Sequence, residues 1–238
     1  MMDRYEEIIA LRQELKRPGV FRHHNIQLRM VMWHLTIRSS VFFKRLMDVI
    51  LSILAIIAGS PVFLLTALLI KITSPGPIIF SQVRVGKFGR HFKFYKFRSM
   101  YIDAEARKAE LMKHNESGDG VIFKMKRDPR ITSVGRFIRK FSIDELPQLF
   151  NVLLGDMSLV GPRPPLPSEV RTYTLEARKR LNITPGITCL WQVSGRSELP
   201  FSKQIALDKE YIASQSAWKD FLILLKTIPA ILTGKGAW

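Results

Sequence analysis

The longest uncharged run in the chain extends from Val49 to Ile70 and contains 22 residues. A helix that crosses a membrane needs about 20 such residues, so the length suits a single span. Ser60 and Pro61 lie in the middle of the run, and a proline there removes a backbone donor and clashes with the preceding turn. Both flanks of the run are basic, and basic flanks stay on the cytoplasmic side. The pattern favours a helix that bends at Ser60 and Pro61 and returns to the same leaflet, while a kinked spanning helix stays open.

Beyond residue 75 the pattern changes to short elements. Two strands, "PIIFSQVRVG" and "HFKFYKFRSM", are predicted around a turn with Gly86 and Gly89. A helix is predicted at 103–114, a loop at 115–120, a short strand at "MSLV", a helix at about 168–181, and two closing helices near 200–214 and 217–233. The last helix carries an apolar stripe, which fits core packing and membrane contact equally well. Its members are Phe221, Leu224, Leu225, Ile228, Ile231 and Leu232.

The charge of the chain points to an anionic partner. Lys and Arg outnumber Asp and Glu 37 to 20, for a net charge of +17, which suits nucleic acid, a phospholipid surface or a phosphorylated substrate. Nucleic acid leaves the uncharged 22-residue run unexplained, so no nucleic-acid partner is expected. The acidic opening of the chain predicts no secretory signal, and the only cysteine, Cys189, excludes an internal disulfide.

The stretch "FSIDELPQLFN", residues 141–151, places two acids side by side before a proline. Ser142 and Glu145 match a capping box. Pro147 instead favours a helix that begins at Asp144, because its missing N–H then falls among donors that have no partner anyway. Two acids in a first turn also suit catalysis or a divalent cation next to a phosphate. Capping and catalysis both stay open on these residues.

Basic residues surround the acidic pair along the sequence. "GPRPP" holds Arg163 between prolines of fixed φ, so its guanidinium would meet a phosphate with little loss of freedom. Arg139 precedes the acids and "SGR" supplies Arg196. Cations around an acidic pair are what a site for a metal and a diphosphate requires, although a surface turn and a solvated basic face fit the same residues.

From about Phe43 to Trp238 the chain resembles the monotopic phosphoglycosyl transferases, bacterial sugar transferases that act on polyprenol phosphate. The resemblance rests on "KRLMDVILS", the Ser60-Pro61 break, "FYKFRSM", "DPRITSVGRFIRK", "SIDELPQLFNVLLGDMSLVGPRP", "PGIT", "LWQVSGR" and "GKGAW". Cys189 departs from the pattern, where glycine is expected.

The resemblance implies a role for each matched residue. Asp144 corresponds to the nucleophile and Glu145 to the adjacent ligand of Mg²⁺, and both are expected to be catalytic. Ser60 and Pro61 correspond to the membrane break. The positions expected to bind substrate are Arg139, Arg163 with Pro162 and Pro164, Arg196, Lys96 and Arg98.

The resemblance also implies a fold and a reaction. We expect a mixed α/β, mostly helical monotopic membrane protein in three parts. Residues 1–40 form an N-terminal extension that could lie at the interface, 41–75 a re-entrant membrane helix, and 76–238 a small catalytic domain with interfacial amphipathic helices, on the cytoplasmic face of the bacterial inner membrane.

The expected reaction is the transfer of a sugar-1-phosphate from a UDP-sugar to undecaprenyl phosphate, with release of UMP and an aspartyl phosphosugar intermediate. It would be the first membrane step of exopolysaccharide, capsule, O-antigen or glycoprotein glycan synthesis. The alternative is a catalytically silent membrane scaffold. The identity of the sugar, and whether the chain forms a homo-oligomer, stay open.

Overall fold

The computed structural model describes residues 20–111 and 127–234, together with Lys113 and Met125. Its first element is the 54-residue helix α1, Val20–Thr73. This helix joins the described end of the predicted N-terminal extension to the apolar run without an interruption. The expectations for residues 1–19 and for the loop at 115–120 lie outside the described residues.

Helix α1 continues through Pro61, so the expected break is not seen as a change of secondary structure. A proline removes one hydrogen bond from a helix, yet its fixed φ is close to the helical value. The apolar turns on both sides keep their bonds and carry the helix past it. Ser39–Thr73 is long and apolar enough to cross a membrane by length and composition. The return of this segment to one leaflet stays a prediction.

Strands β1, Ile79–Val85, and β2, His91–Phe97, form the predicted antiparallel hairpin. Side chains alternate between the two faces of such a ribbon. One face therefore carries Gln82 and Arg84 of β1 together with Phe94 and Lys96 of β2, since the register pairs Gln82 with Phe94. Both cations lie near the ring of Phe94, with Arg84 Cζ 5.2 Å and Lys96 Nζ 5.7 Å from its centroid.

The remaining elements are short, and two differ from the sequence prediction. The helix expected at 168–181 is divided at Thr172–Thr174, because the hydroxyl of Thr174 accepts a hydrogen bond from Ala177 N and starts a new helix. Strand β4, which was not predicted, pairs in parallel with β3. The elements are α2 Ala104–Leu111, α3 Ser133–Lys140, α4 Gln148–Leu154, β3 Ser158–Val160, α5 Pro167–Arg171, α6 Leu175–Arg178, β4 Gly186–Thr188, α7 Phe201–Ala213 and α8 Ala217–Thr233.

The close pairing of β3 and β4 depends on glycine. A Cβ on Gly186 would lie 2.0 Å from Gly161 N, and a Cβ on Gly161 would lie 2.5 Å from Thr184 O. Any side chain at either position would therefore separate the strands. This pairing places the segment after β3, which contains Arg163, against β4.

The core joins the hairpin, α4, β3 and the two closing helices to one face of α1. A second cluster joins Ile70 of α1 to Phe97 of β2 and Ile138 of α3. The main cluster is formed by Phe92, Phe94, Leu149, Val152, Met157, Leu159, Val160, Tyr211 and Ile223. Helix α1 thus contributes to the core of the globular part, by which we mean the described residues from 76 onward.

Polar side chains near the start of the apolar run tie α1 to the globular part. Lys44 Nζ donates to Val160 O and pairs with Asp220, which also accepts from the hydroxyl of Tyr211. The Asp48 carboxylate, 5% exposed, accepts from Leu159 N. These bonds fix α1 to β3.

Arg45 on the same turn of α1 holds the end of α4. Its guanidinium donates to Val152 O at 2.5 Å and to Leu153 O at 2.8 Å. These carbonyls belong to the last turn of α4, where a cation is favoured by the helix dipole. The helix that follows the acidic pair is therefore anchored to α1.

The outer side of α1 and one side of α8 are apolar and exposed. Four members of the predicted stripe in α8 are exposed, namely Phe221, Leu225, Ile228 and Leu232, and Trp218 joins them. Core packing therefore does not account for this stripe. On α1 the exposed side includes Ile50, Ile53, Leu54, Ile57, Leu64, Leu65, Leu68 and Ile72. Contiguous apolar surface of this kind is typical of a membrane contact.

Candidate active site

The two acids lie in a 3₁₀ turn, Ile143–Glu145, and not in the first turn of an α-helix. Helix α4 begins at Gln148, directly after Pro147, so the predicted start at Asp144 was wrong. The turn is closed by hydrogen bonds between residues three apart, from Glu145 N to Ser142 O and from Leu146 N to Ile143 O. These bonds end before the proline, which has no N–H to continue them.

The predicted capping box is absent from this turn. Ser142 has φ 54° and ψ 20°, a left-handed conformation, and its side chain makes no cap hydrogen bond. Pro147, the residue before α4, likewise makes no side-chain hydrogen bond to the start of that helix. A non-glycine residue in this conformation is strained, and such residues cluster at functional sites. The capping interpretation thus loses its support, and the two carboxylates are free for another task.

Strand β2 brings Lys96 to the acidic turn. Its Nζ lies 2.7 Å from Glu145 Oε1 and 3.4 Å from Asp144 Oδ2. Asp144 is 5% exposed, whereas the side chains of Lys96 and Glu145 are each 26% exposed. One cation therefore faces two carboxylates at the edge of a buried site.

Asn151 of α4 fixes this strand beside Lys96. The side chain is fully buried; its Oδ1 accepts a hydrogen bond from Tyr95 N and its Nδ2 donates to Lys93 O. An amide that satisfies both an N–H and a C=O of a strand replaces a missing neighbour strand. The helix after the acids and the strand with the lysine are consequently held in one geometry.

Burial is the largest influence on both carboxylates, with opposite net results. It raises the pKa of Asp144 above its ordinary value despite the attraction of Lys96, and repulsion from Glu145 acts in the same direction. Burial also acts upward on the pKa of Glu145, but the attraction of Lys96 and of two arginines outweighs it and lowers that pKa. Glu145 therefore holds its charge, while Asp144 takes up a proton more readily.

Three predicted arginines act on this pair through space. Arg139, at the end of α3, attracts Asp144, whereas Arg163 and Arg196 attract Glu145. Arg196 has φ 52°, the same left-handed conformation as the residue before the acids. The structure thus brings these three residues and Lys96 around the acidic turn, in the grouping that the sequence predicted.

Arg98 lies elsewhere. Its buried guanidinium donates to Ser74 O at 2.6 Å and to Pro75 O at 2.8 Å, just beyond the end of α1. The structure does not bring Arg98 to the acidic pair, and its contacts hold the junction between α1 and β1.

The turn that carries Arg163 is held through its carbonyls. Pro162 O accepts from Gly186 N, Arg163 O from Arg180 Nη2, Pro164 O from Arg84 Nη1, and Pro165 O from Val85 N, in a row of four bonds. The rings of Pro162 and Pro164 are fully buried. These prolines support the turn, while the side chain of Arg163 is 35% exposed and lies 4.0 Å from Glu169.

The sequence analysis missed part of this support. Arg84 is not among the predicted site residues, although strand alternation puts it on the same face as Lys96. The buried pair Arg180 and Asp208, with Nη2 2.6 Å from Oδ2, was also missed. Burial raises the pKa of Asp208 to about 6 despite this arginine. A signal existed in α7, where Gln204, Asp208 and Tyr211 recur at helical spacing and are all buried.

The donor set suits Mg²⁺ only together with a substrate. Among the described residues there is no group of three or more His, Cys, Asp or Glu side chains that could hold a metal ion. Mg²⁺ is, however, usually bound through one or two carboxylates and the phosphates of the substrate. Glu145, partly exposed and ionised, with Asp144 beside it, fits that mode.

Comparison with known proteins identifies the family of the chain. The family model described as "Bacterial sugar transferase" matches residues 39–234. A galactosyl transferase named CpsE from Streptococcus agalactiae is 54% identical over 163 residues, 68% of this chain and 36% of that protein. An undecaprenyl-phosphate galactose phosphotransferase from Salmonella typhimurium is 43% identical over 223 residues, 90% of this chain and 46% of that protein. The chain thus spans half or less of these two relatives. The exopolysaccharide production protein ExoY from Sinorhizobium fredii is 40% identical over 198 residues, 82% of this chain and 88% of that protein.

Proposed function

The chain belongs to the bacterial sugar transferase family, and on this premise we propose that it transfers a sugar-1-phosphate from a UDP-sugar to undecaprenyl phosphate and releases UMP. The names of relatives support both substrates, since one is a UDP-glucose:undecaprenyl-phosphate glucose-1-phosphate transferase from Klebsiella pneumoniae, 41% identical over 207 residues. The reaction would be the first membrane step of a bacterial surface polysaccharide or glycan.

The observation that supports the proposal most directly is that cations surround the acidic turn of Asp144 and Glu145. A carboxylate that attacks a diphosphate must approach an anion, and this requires positive charge on both sides. Lys96 touches both acids, and three arginines act on them through space. The buried Asp144, with its raised pKa, is less well compensated than Glu145, so its carboxylate, once ionised, is the stronger nucleophile of the two.

In the proposed reaction, Asp144 Oδ attacks the sugar-linked phosphorus of the UDP-sugar. The bond from this phosphorus to the bridging oxygen breaks, and the electron pair leaves with UMP. A phosphate oxygen of undecaprenyl phosphate then attacks the same phosphorus and displaces the Asp144 carboxylate, which gives a polyprenyl diphosphate sugar. Arg163 and Lys96 orient and neutralise the diphosphate. Mg²⁺ held through Glu145 would supply further positive charge to the phosphates.

The packing of α1 supports a position within one leaflet. Asp48, Ser52, Thr66 and Ile70 are all buried, so the globular part accompanies the helix for about 33 Å at 1.5 Å per residue. The hydrocarbon core of a bilayer is about 30 Å thick. A span would thus draw charged strands of the globular part into lipid, which is costly. We propose that both ends of the segment face the cytoplasm and that the exposed stripe of α8 lies on the same membrane.

The direct test is UMP release from a panel of UDP-sugars with undecaprenyl phosphate and Mg²⁺ in detergent. We expect UMP and a lipid-linked sugar with at least one UDP-sugar. Absence of both products with every sugar, from a folded protein, would contradict the proposal and favour the catalytically silent scaffold.

A further inference from the structure

The burial of the Arg84 cation is not explained by the functions described so far. The residue is 7% exposed and lies on β1, on the same hairpin face as Lys96. Its Nη1 donates to Pro164 O at 3.2 Å and its Nη2 to Gln82 Oε1 at 3.0 Å. Its Nε is buried without a hydrogen-bond partner. Both of its acceptors are neutral oxygens.

The charge of Arg84 lacks a direct counterion. Within the described part of the chain, no carboxylate lies at ion-pair distance from its guanidinium; Glu169 and Glu145 attract it only through space. Burial, and then repulsion from Arg163, lower the pKa of Arg84 to about 9. A buried charge normally has a partner, because desolvation is expensive. Arg84 and the partly exposed Arg163 repel each other, and an anion bound next to both side chains would offset this repulsion.

The contact with Pro164 gives Arg84 a mechanical role as well. Arg163 stands between two carbonyls that are both fixed, Pro162 O by a backbone N–H and Pro164 O by Arg84. The prolines themselves offer no N–H through which the turn could be held. Loss of the Arg84 bond would leave the turn after Arg163 held only by the bond from Val85 N to Pro165 O, one residue further along, and would free the Pro164 carbonyl next to Arg163.

We propose that Arg84 is a positioning residue for the diphosphate of the nucleotide sugar: it holds the Pro164 carbonyl, and so orients Arg163, and it adds a buried positive charge to that of the partly exposed Arg163. This inference rests on the proposed function for its substrate. It assigns to β1 a part in binding the anion, beside the lysine that β2 supplies.

Three substitutions separate the effect of Arg84 on the position of the turn from the effect of its charge. Arg84→Met removes both, and Arg84→Lys keeps the charge but not the fork that reaches two acceptors. Gln82→Glu keeps Arg84 and its bond to Pro164 O but places a carboxylate on the atom 3.0 Å away, so that the charge is neutralised. We expect KM for the UDP-sugar to rise about tenfold or more in Arg84→Met and in Gln82→Glu, and less in Arg84→Lys. The value of kcat should change less than KM, because Arg84 acts on binding.

Arg45→Met is the matched control, because Arg45 also donates to two neutral oxygens but lies at the end of α4. It should lower the unfolding temperature and leave KM unchanged. The inference is overturned if Arg84→Met folds and keeps the wild-type KM. If Arg84→Met does not fold, an unchanged KM in Gln82→Glu overturns it.

Binding measured without turnover distinguishes this inference from the proposed function. The affinities for UDP and for inorganic pyrophosphate, measured by calorimetry in detergent, should fall about tenfold in Gln82→Glu and not in Arg45→Met. A wild-type protein that releases no UMP would end the proposed function, and these affinities would still decide the role of Arg84. Equal affinities in all variants would refute it.

Discussion

Replacing Asp144 with Asn removes one negative charge from the acidic turn and keeps the size of the side chain. Lys96 Nζ lies 3.4 Å from Asp144 Oδ2, which corresponds to about 5 kcal/mol of attraction at an effective dielectric constant of about 20. This attraction is smaller than the cost of burying the Asp144 carboxylate. Burial, with repulsion from Glu145, keeps the pKa of Asp144 above its ordinary value.

The direction of this shift fixes the expected change in stability. A carboxyl whose pKa is higher in the folded chain contributes stability at low pH, and this contribution is lost as the pH rises through the raised pKa. The Asn variant has no such group, so it should be at least as stable as the wild type at neutral pH. Lys96 keeps its partner Glu145 at 2.7 Å in the variant. Transfer should nevertheless fall by at least about a thousandfold, because the nucleophile is gone.

The assay uses UDP-sugar and Mg²⁺ without undecaprenyl phosphate. In the wild type, mass spectrometry should find one sugar-phosphate added to the peptide with residues 140–150, in step with UMP release, and the Asn variant should lack both. Thermal unfolding in the same detergent is the control. A variant that still turns over at a substantial rate, or still carries the adduct, would refute the assignment of Asp144. An unfolded variant would contradict the argument from burial.

Three further perturbations test other parts of the structure. Arg163→Ala should raise KM for the UDP-sugar about tenfold or more, with partial rescue by Lys; unchanged kinetics would show a surface turn only. Lys44→Met should lower the free energy of unfolding by about 3 kcal/mol, since it leaves Asp220 buried without its cation; recovery by the added change Asp220→Asn, followed by thermal unfolding, is the check. Cysteines in place of Ser40 and Pro75 should both resist an impermeant reagent outside intact cells, and labelling of only one would demonstrate a span.

Local pattern was sufficient for the hairpin and the closing helices. Alternating apolar and polar residues around Gly86 and Gly89 predicted β1 and β2, and the spacing in α8 predicted a helix with an apolar side. The exposure of that side could not be predicted, because a spacing does not show what covers it. The grouping of the acids with the arginines followed from the family resemblance and charge, and the structure places them together.

Some features were not evident from the sequence, and two of them depend on contacts between distant residues. The 3₁₀ turn at the acids ends before Pro147, and the helix predicted to begin at Asp144 begins at Gln148 instead. Strand β4 has only three residues and exists because Gly161 and Gly186 permit close approach. The proposed role of Arg84 depends on its contact with the Pro164 carbonyl, 80 residues away in the sequence, and no local sequence pattern predicts such a contact.

The burial of one side of α1 has a consequence for where the protein can complete its folding. Ser52 is 0% and Ile70 2% exposed against the globular part, so a fragment without α1 would lack part of its core, while α1 without lipid would leave its other side in water. With the membrane position proposed above, folding is complete only once α1 has reached the membrane. A chain that fails to insert is left with exposed apolar surface, which proteases and chaperones recognise. Under the proposed function and membrane position, the cytosol would hold no soluble pool of active chains, and nucleotide sugars would be consumed only beside the lipid that accepts them.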